Sequence, residues 1–152
     1  MDTPHVAEAG RTLMIVEDQI LVSMILRDVL QDAGYRVLDL TDRHAEAIAV
    51  AKETRPDLAL VNIQLRGRDD GIALAVELKA LGVPVLLISG QVSKARSADT
   101  VAIASLPKPY SALDMVDAVA YLLALMSGDH VPPRPPGLEV FGGDDQGLAP
   151  AA

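Results

Sequence analysis

The chain has 152 residues, half of them apolar, with a formal charge of −8 and no cysteine. That length supports one domain with a substantial core, while the missing cysteines exclude disulfides and thiolate metal sites. The acidic charge argues against nonspecific binding to a nucleic-acid backbone, which needs a basic surface.

At the N-terminus, "MDTPHVAEAGR" lacks the basic-then-apolar order of a signal peptide. No apolar run approaches the roughly 18 residues of a membrane span. A cytoplasmic protein is expected, with neither membrane nor nucleic acid as a direct partner. From "TLMIV" onward, short β-rich runs alternate with longer helix-periodic ones, which is the pattern of a parallel α/β sheet. Strands are expected near 12–17, 35–40, 57–62, 83–88 and 102–106.

The first helix runs from Ile20 to Ala33, with Val22, Ile25, Val29 and Ala33 on one face, and the second covers "HAEAIAVAKET". A third spans about Gly71 to Leu81 and stops at Gly82. The fourth crossover, "VSKARSADT", is weakly patterned and predicts only a brief or mobile helix. The last helix starts after the N-cap Ser111 and runs to about Met126. Five strands and five helices make a doubly wound sheet.

The organisation that follows is a flexible N-terminus at 1–10, one domain at 11–126 and a Pro/Gly-rich tail or arm at 127–152. Half of the prolines lie in that last segment, which reads as a stiff terminus too polar to offset its ordering entropy. Within it, "PPRPP" favours polyproline II, and "LEVF" holds the only Phe, which could dock on this protein or a neighbour.

In an open parallel sheet, ligands sit at the carboxyl ends of the strands. Glu17 and Asp18 end the first strand, Asn62 the third and Ser89 the fourth, while Lys108 and Pro109 follow the fifth. Two adjacent carboxylates with a polar oxygen opposite suit Mg²⁺, a hard ion that takes oxygen ligands. A hydroxyl and an ammonium beside that ion suit phosphoryl transfer, which depends on positioning and charge neutralisation. The bland readings are a dipole-stabilised acidic pair, turn formers at Asn62 and Ser89, and a surface Lys108.

The ordered strings "LMIVEDQILV", "RPDLALVNIQL" with "DGIALA", "VPVLLISG" and "LPKPYS" resemble the receiver domain of two-component response regulators over roughly residues 11–126. The resemblance implies a flavodoxin-like (βα)5 fold with strand order 2-1-3-4-5. It implies a phosphoprotein that takes a phosphoryl group from a sensor histidine kinase or phosphotransfer protein and catalyses only its own phosphorylation. Carried over residue by residue, Glu17 and Asp18 are the Mg²⁺-binding acids, Asn62 holds the phosphoacceptor position and the backbone carbonyl of Gln64 is a further metal ligand. Ser89 takes the place of the switch hydroxyl and Lys108 that of the ammonium, followed by a cis Pro109. Asp69 and Asp70 lie too far beyond the strand end to share the metal and read as a charged loop.

Two departures stand out. Asn62 replaces the expected aspartate, so phosphorylation at that position is not expected and Mg²⁺ should bind more weakly. It is open whether Asn62 is natural or engineered. Ser105 stands where most receivers place a Tyr or Phe lever, and Tyr110 is a candidate substitute sensor. On the last helix, Leu113, Val116, Ala120 and Leu123 form one stripe. Met115, Val119, Leu122 and Met126 form a second, rotated by about 100°. One stripe covers the sheet, and the second is expected to form a homodimer or partner interface.

Three functions stay open. The first is a stand-alone phosphorylation-controlled regulator acting through a downstream protein. The second is a phosphate-independent binding module, and the third a small Mg²⁺-dependent phosphatase, which fold alone would not establish.

Overall fold

Both faces of a parallel sheet are covered by its crossover helices, so its strands read as unbroken apolar runs. The computed structural model describes residues 11–141 and shows this arrangement. Strands β1 (Thr12–Val16), β3 (Leu58–Asn62) and β4 (Val85–Ser89) are buried along their whole length, and β5 (Ala104–Pro107) is buried up to Pro107. With β2 (Arg36–Val37) they form a parallel sheet in the order β2-β1-β3-β4-β5. Helices α1 (Ile20–Asp32), α2 (His44–Glu53), α3 (Gly71–Ala80), α4 (Val92–Arg96) and α5 (Ala112–Ser127) connect and cover it. The expected N-terminal segment 1–10 and the last part of the tail lie outside the described residues.

Side chains alternate across the sheet and build two cores. Leu13, Ile15, Leu58, Leu60, Leu86, Ile88 and Leu106 pack with α1 and α5. On the other face, Met14, Val16, Ala59, Val61, Val85 and Leu87 pack with α2, α3 and α4. A backbone bond from Asp57 N to Thr12 O and a bond from Thr12 N to the Asp57 carboxylate Oδ2, each 2.7 Å, fix the register of β1 against β3. α3 ends where Gly82 takes φ +83°, a conformation that costs glycine little.

Three differences from the sequence reading are physical. β2 pairs at only two residues rather than over 35–40, because the chain beyond Leu38 drifts from β1 until Thr41 bridges Val16. The segment assigned to the tail returns to the sheet, where β6 (Glu139–Val140) pairs antiparallel to β5. Its side chains Leu138, Val140 and Phe141 are buried.

The third concerns α5. Met115, Val119 and Leu122, expected at a dimer interface, are fully buried inside the protomer, and Met126 is half-buried against the same core. These residues cannot form an interface without unfolding α5 from the sheet. The helix packs on the sheet and sideways against α1, so it needs apolar residues on both stripes. Leu113, assigned to the sheet-covering stripe, is instead exposed.

Candidate functional site

The sheet's carboxyl edge gathers the polar strand ends because each strand is buried until its last residues. Glu17 and Asp18 follow β1, Asn62 ends β3, Ser89 ends β4, and Lys108 follows β5. The neighbouring ends are held by main-chain bonds, Glu17 N to Thr41 O at 3.0 Å and Lys108 N to Ser89 O at 2.9 Å. The Lys108–Pro109 peptide is cis.

Asn62 is 2% exposed and its amide is committed. Nδ2 donates to Asp18 Oδ1 at 3.2 Å and to the Gln64 carbonyl at 2.5 Å. Both partners are acceptors, so the reverse amide orientation would set three oxygens together without a proton. Of the groups expected to coordinate a cation, Glu17, Asp18, Asn62 and the Gln64 carbonyl, two therefore already accept Asn62 protons.

Glu17 is also buried, and its Oε2 accepts from Gln19 N at 3.1 Å while its Oε1 has no hydrogen-bond partner. Burial, and then the adjacent Asp18 carboxylate, push the Glu17 carboxyl up to about 7, against the pull of the Gln19 amide and Lys108. Ser89 forms a local turn in which its Oγ accepts from Gln91 N at 2.8 Å and donates to Gln91 O at 3.1 Å.

Two clefts meet at Lys108. One, of about 270 Å³, is polar and lined by Asn62, Gln64, Ser89, Gln91, Lys94 and Lys108. Lys94 was not singled out from the sequence, because the α4 segment carries too weak a pattern to place its side chains. The other, of about 350 Å³, runs from Glu17 and Lys108 past Pro109 and Tyr110 to the apolar Val22, Ile25 and Leu26. Burial, and then the Glu17 charge, raise the Tyr110 phenol to about 12, so it stays a neutral hydrogen-bonding group at this mouth.

Ser105 is buried on β5, paired with Leu87 on one side and Glu139 on the other, and lines a small cavity together with Ser89. Asp69 and Asp70 cap helices: Asp69 Oδ2 accepts from His44 N at 2.7 Å, and Asp70 Oδ1 accepts from Ile72 N at 2.9 Å.

Glu17, Asp18 and the Gln64 carbonyl are the oxygens that could hold a divalent ion, and the Asn62 amide already bonds two of these groups. Among the described residues no group of three His, Cys, Asp or Glu could hold a metal. Asp18 Oδ1 and the Gln64 carbonyl accept from the Asn62 amide, so residue 62 competes for these oxygens and does not add a third carboxylate. Nor can residue 62 act as a nucleophile, since an amide lone pair is delocalised and the nitrogen's protons are engaged.

Comparison with known proteins gives one family. The model of the response regulator receiver domain matches residues 13–120. The transcriptional regulatory protein PdtaR of Mycobacterium tuberculosis is 29% identical over 117 residues, covering 74% of this chain and 57% of that protein, so the chain spans little more than half of that relative's length. Among solved structures, the receiver domain of NtrX from Brucella abortus superposes with a TM-score of 0.66 at 29% identity, covering 73% of this chain and 96% of that one. The signal receiver domain of a modulated diguanylate cyclase from Desulfovibrio desulfuricans G20 gives a TM-score of 0.60 at 39% identity, covering 66% and 83%.

Proposed function

The chain belongs to the response regulator receiver family, and on that premise we propose that it is a two-component or phosphorelay signalling module whose residue 62 is the phosphoacceptor position of its parent form and, as Asn62, accepts no phosphoryl group. The observation that carries this reading is the Asn62 amide, hydrogen-bonded to Asp18 and to the Gln64 carbonyl where a receiver would present a carboxylate.

Receiver domains hold Mg²⁺ at their acidic site. Here the Asn62 amide protons satisfy two of the oxygens such an ion would use, so no step of this reading depends on the metal. Ser89 and Lys108 border the polar cleft beside residue 62, where a hydroxyl and an ammonium neutralise phosphoryl oxygens in the parent form. The family is one of signalling domains rather than of turnover enzymes.

Receiver domains interact with histidine kinases or phosphotransfer proteins, and α1 offers such a partner an apolar surface. Ile20, Leu21 and Ile25 are more than half exposed, Ile25 also lining the larger cleft, and Leu113 in the first turn of α5 is 67% exposed. Ile20, Leu21, Met24 and Ile25 are all exposed and fall on one face of α1, an apolar surface of the kind a partner covers. Among the described residues, no helix is long and apolar enough to cross a membrane.

A second reading, a phosphate-independent interaction module, is favoured by Ser105, which is too small to act as an aromatic lever. One experiment separates the two. The chain and its Asn62→Asp variant are incubated with Mg²⁺ and a small-molecule phosphodonor and read by intact mass. A phosphoryl adduct on the aspartate form alone is expected. An adduct on neither form would overturn the first reading and leave the second.

A further inference from the structure

The segment 138–141 plays no part in the function proposed above, yet it closes one edge of the sheet. Its side chains alternate as in a strand: Leu138 and Val140 enter the core beside α5, and Phe141 enters the opposite core. Between them Glu139 meets Arg96 of α4, whose Nε lies 2.9 and 3.1 Å from the two carboxylate oxygens. The main chain pairs Val140 with Ala104 and Glu139 with Ser105, and Phe141 N donates to Ile103 O at 2.9 Å.

The approach to this strand is equally specific. Gly137 has φ +86°, and a Cβ there would stand 3.3 Å from the Pro107 ring. Upstream, the Arg134 guanidinium lies 5.9 Å from the centre of the Tyr121 ring on α5.

The hold is nevertheless slight. Two paired residues, three apolar side chains and one largely exposed ion pair hold the strand itself, with the buried Pro135 and the Arg134–Tyr121 contact upstream, whereas β1, β3, β4 and β5 pair over four residues at each junction. Elements with so few contacts open before the domain does. Four of the six residues in "PPRPPG", 132–137, are prolines, which lack a backbone donor and keep a released linker extended.

Once vacant, the edge offers unpaired backbone groups, an apolar site on each face of the sheet and a guanidinium between them. Strand addition at such an edge takes its affinity from the main chain and its selectivity from alternating side chains.

We propose that the β5 edge is a docking site for an extended segment of a partner protein reading apolar, acidic, apolar, apolar, and that the chain's own arm occupies it in cis as a competitor. The complementarity is that of the arm itself: Leu138, Glu139, Val140 and Phe141 each meet a matching feature. Tethering gives the arm an effective concentration in the millimolar range, so a partner segment must exceed that or reach the protein with the arm displaced.

The test uses the full chain with Leu138→Asp and Val140→Asp, whose carboxylates cannot enter the core, and a fluorescent peptide PPGLEVF as probe. Hydrogen exchange at the Phe141 amide reports release of the arm, and exchange in β1, β3 and β4 reports integrity of the domain. The expected result is loss of Phe141 protection alone, with the peptide binding the variant at least about tenfold tighter than the unsubstituted chain. Adding Arg96→Glu should weaken that binding about two- to fivefold, and the peptide PPGLKVF should restore it. Absence of binding to the released edge, equal binding by both proteins, retained Phe141 protection, or loss of protection throughout the domain would each overturn the proposal.

Discussion

Gly71 packs so closely behind Asn62 that a Cβ on it would stand 2.2 Å from the Asn62 carbonyl oxygen and 2.8 Å from the Ile63 Cα. The Gly71 N–H donates to Ile63 O at 2.7 Å, so α3 begins directly against the strand end that presents residue 62. The obstructing atoms are backbone and cannot swing aside. Gly71→Ala should lower unfolding stability by about 3 kcal/mol, in the range of overpacked sites, measured by urea denaturation. It should also shift the NMR signals of the Asn62 side-chain amide, because the helix start must retreat. Unchanged stability and unchanged amide signals would mean that the strand end relaxes without cost.

The Asn62 amide also sets the response to Mg²⁺. Its protons stand between Asp18 Oδ1 and the Gln64 carbonyl, so a cation must first break both bonds and turn the amide. Asn62→Asp removes the protons and adds a charge. A ligand at ten times its Kd stabilises the folded state by about 1.4 kcal/mol. The aspartate variant should therefore melt a few degrees higher in Mg²⁺ than in EDTA, and the unsubstituted chain should melt alike in both. Equal shifts in the two proteins would show that the amide is no obstacle.

Glu17 makes stability depend on pH. Burial pushes its carboxyl up to about 7 in the folded protein, from 4.5 for an ordinary glutamate. The folded state therefore binds the proton more tightly than the unfolded chain does. The favourable contribution is complete below about pH 4.5 and is lost as pH rises through about 7. In EDTA, urea stability should decline from pH 5 to pH 8. Glu17→Gln should flatten that decline and make the protein the more stable form at pH 8. A profile that the substitution leaves unchanged would assign the pH dependence to other groups.

Much of this was legible in the sequence because parallel strands buried on both faces are written as unbroken apolar runs. "LMIV", "LALV" and "VLLIS" therefore place β1, β3 and β4 within about two residues, and with them the polar ends Glu17, Asn62 and Ser89. β2 was overextended because "YRVLDL" alternates well, yet its pairing with β1 stops after two residues. β6 was hidden for the opposite reason: it is short and follows four prolines, and its partner strand lies more than thirty residues upstream. The hydrogen-bond direction of Asn62 had no sequence signal at all, since it depends on the acceptors Asp18 and Gln64 being brought together by the fold.

The last helix shows how periodicity can identify apolar stripes without saying what covers them. Leu122 sits in the stripe expected to contact a second copy, but it is fully buried in the core shared by the sheet, α1 and α5. Glutamate at that position would carry an unpaired charge into the core, where such groups either protonate or unfold their surroundings. Leu122→Glu should therefore cost more than about 4 kcal/mol and abolish the cooperative urea transition, rather than convert a dimer to a folded monomer. Leu113, 67% exposed at the other end of the helix, is the contrasting case. Leu113→Glu should change stability by less than about 0.5 kcal/mol while weakening capture of a cognate kinase or phosphotransfer protein. A folded, sedimenting monomer from Leu122→Glu would show that α5 is not anchored as its burial requires, and would return its second stripe to the surface.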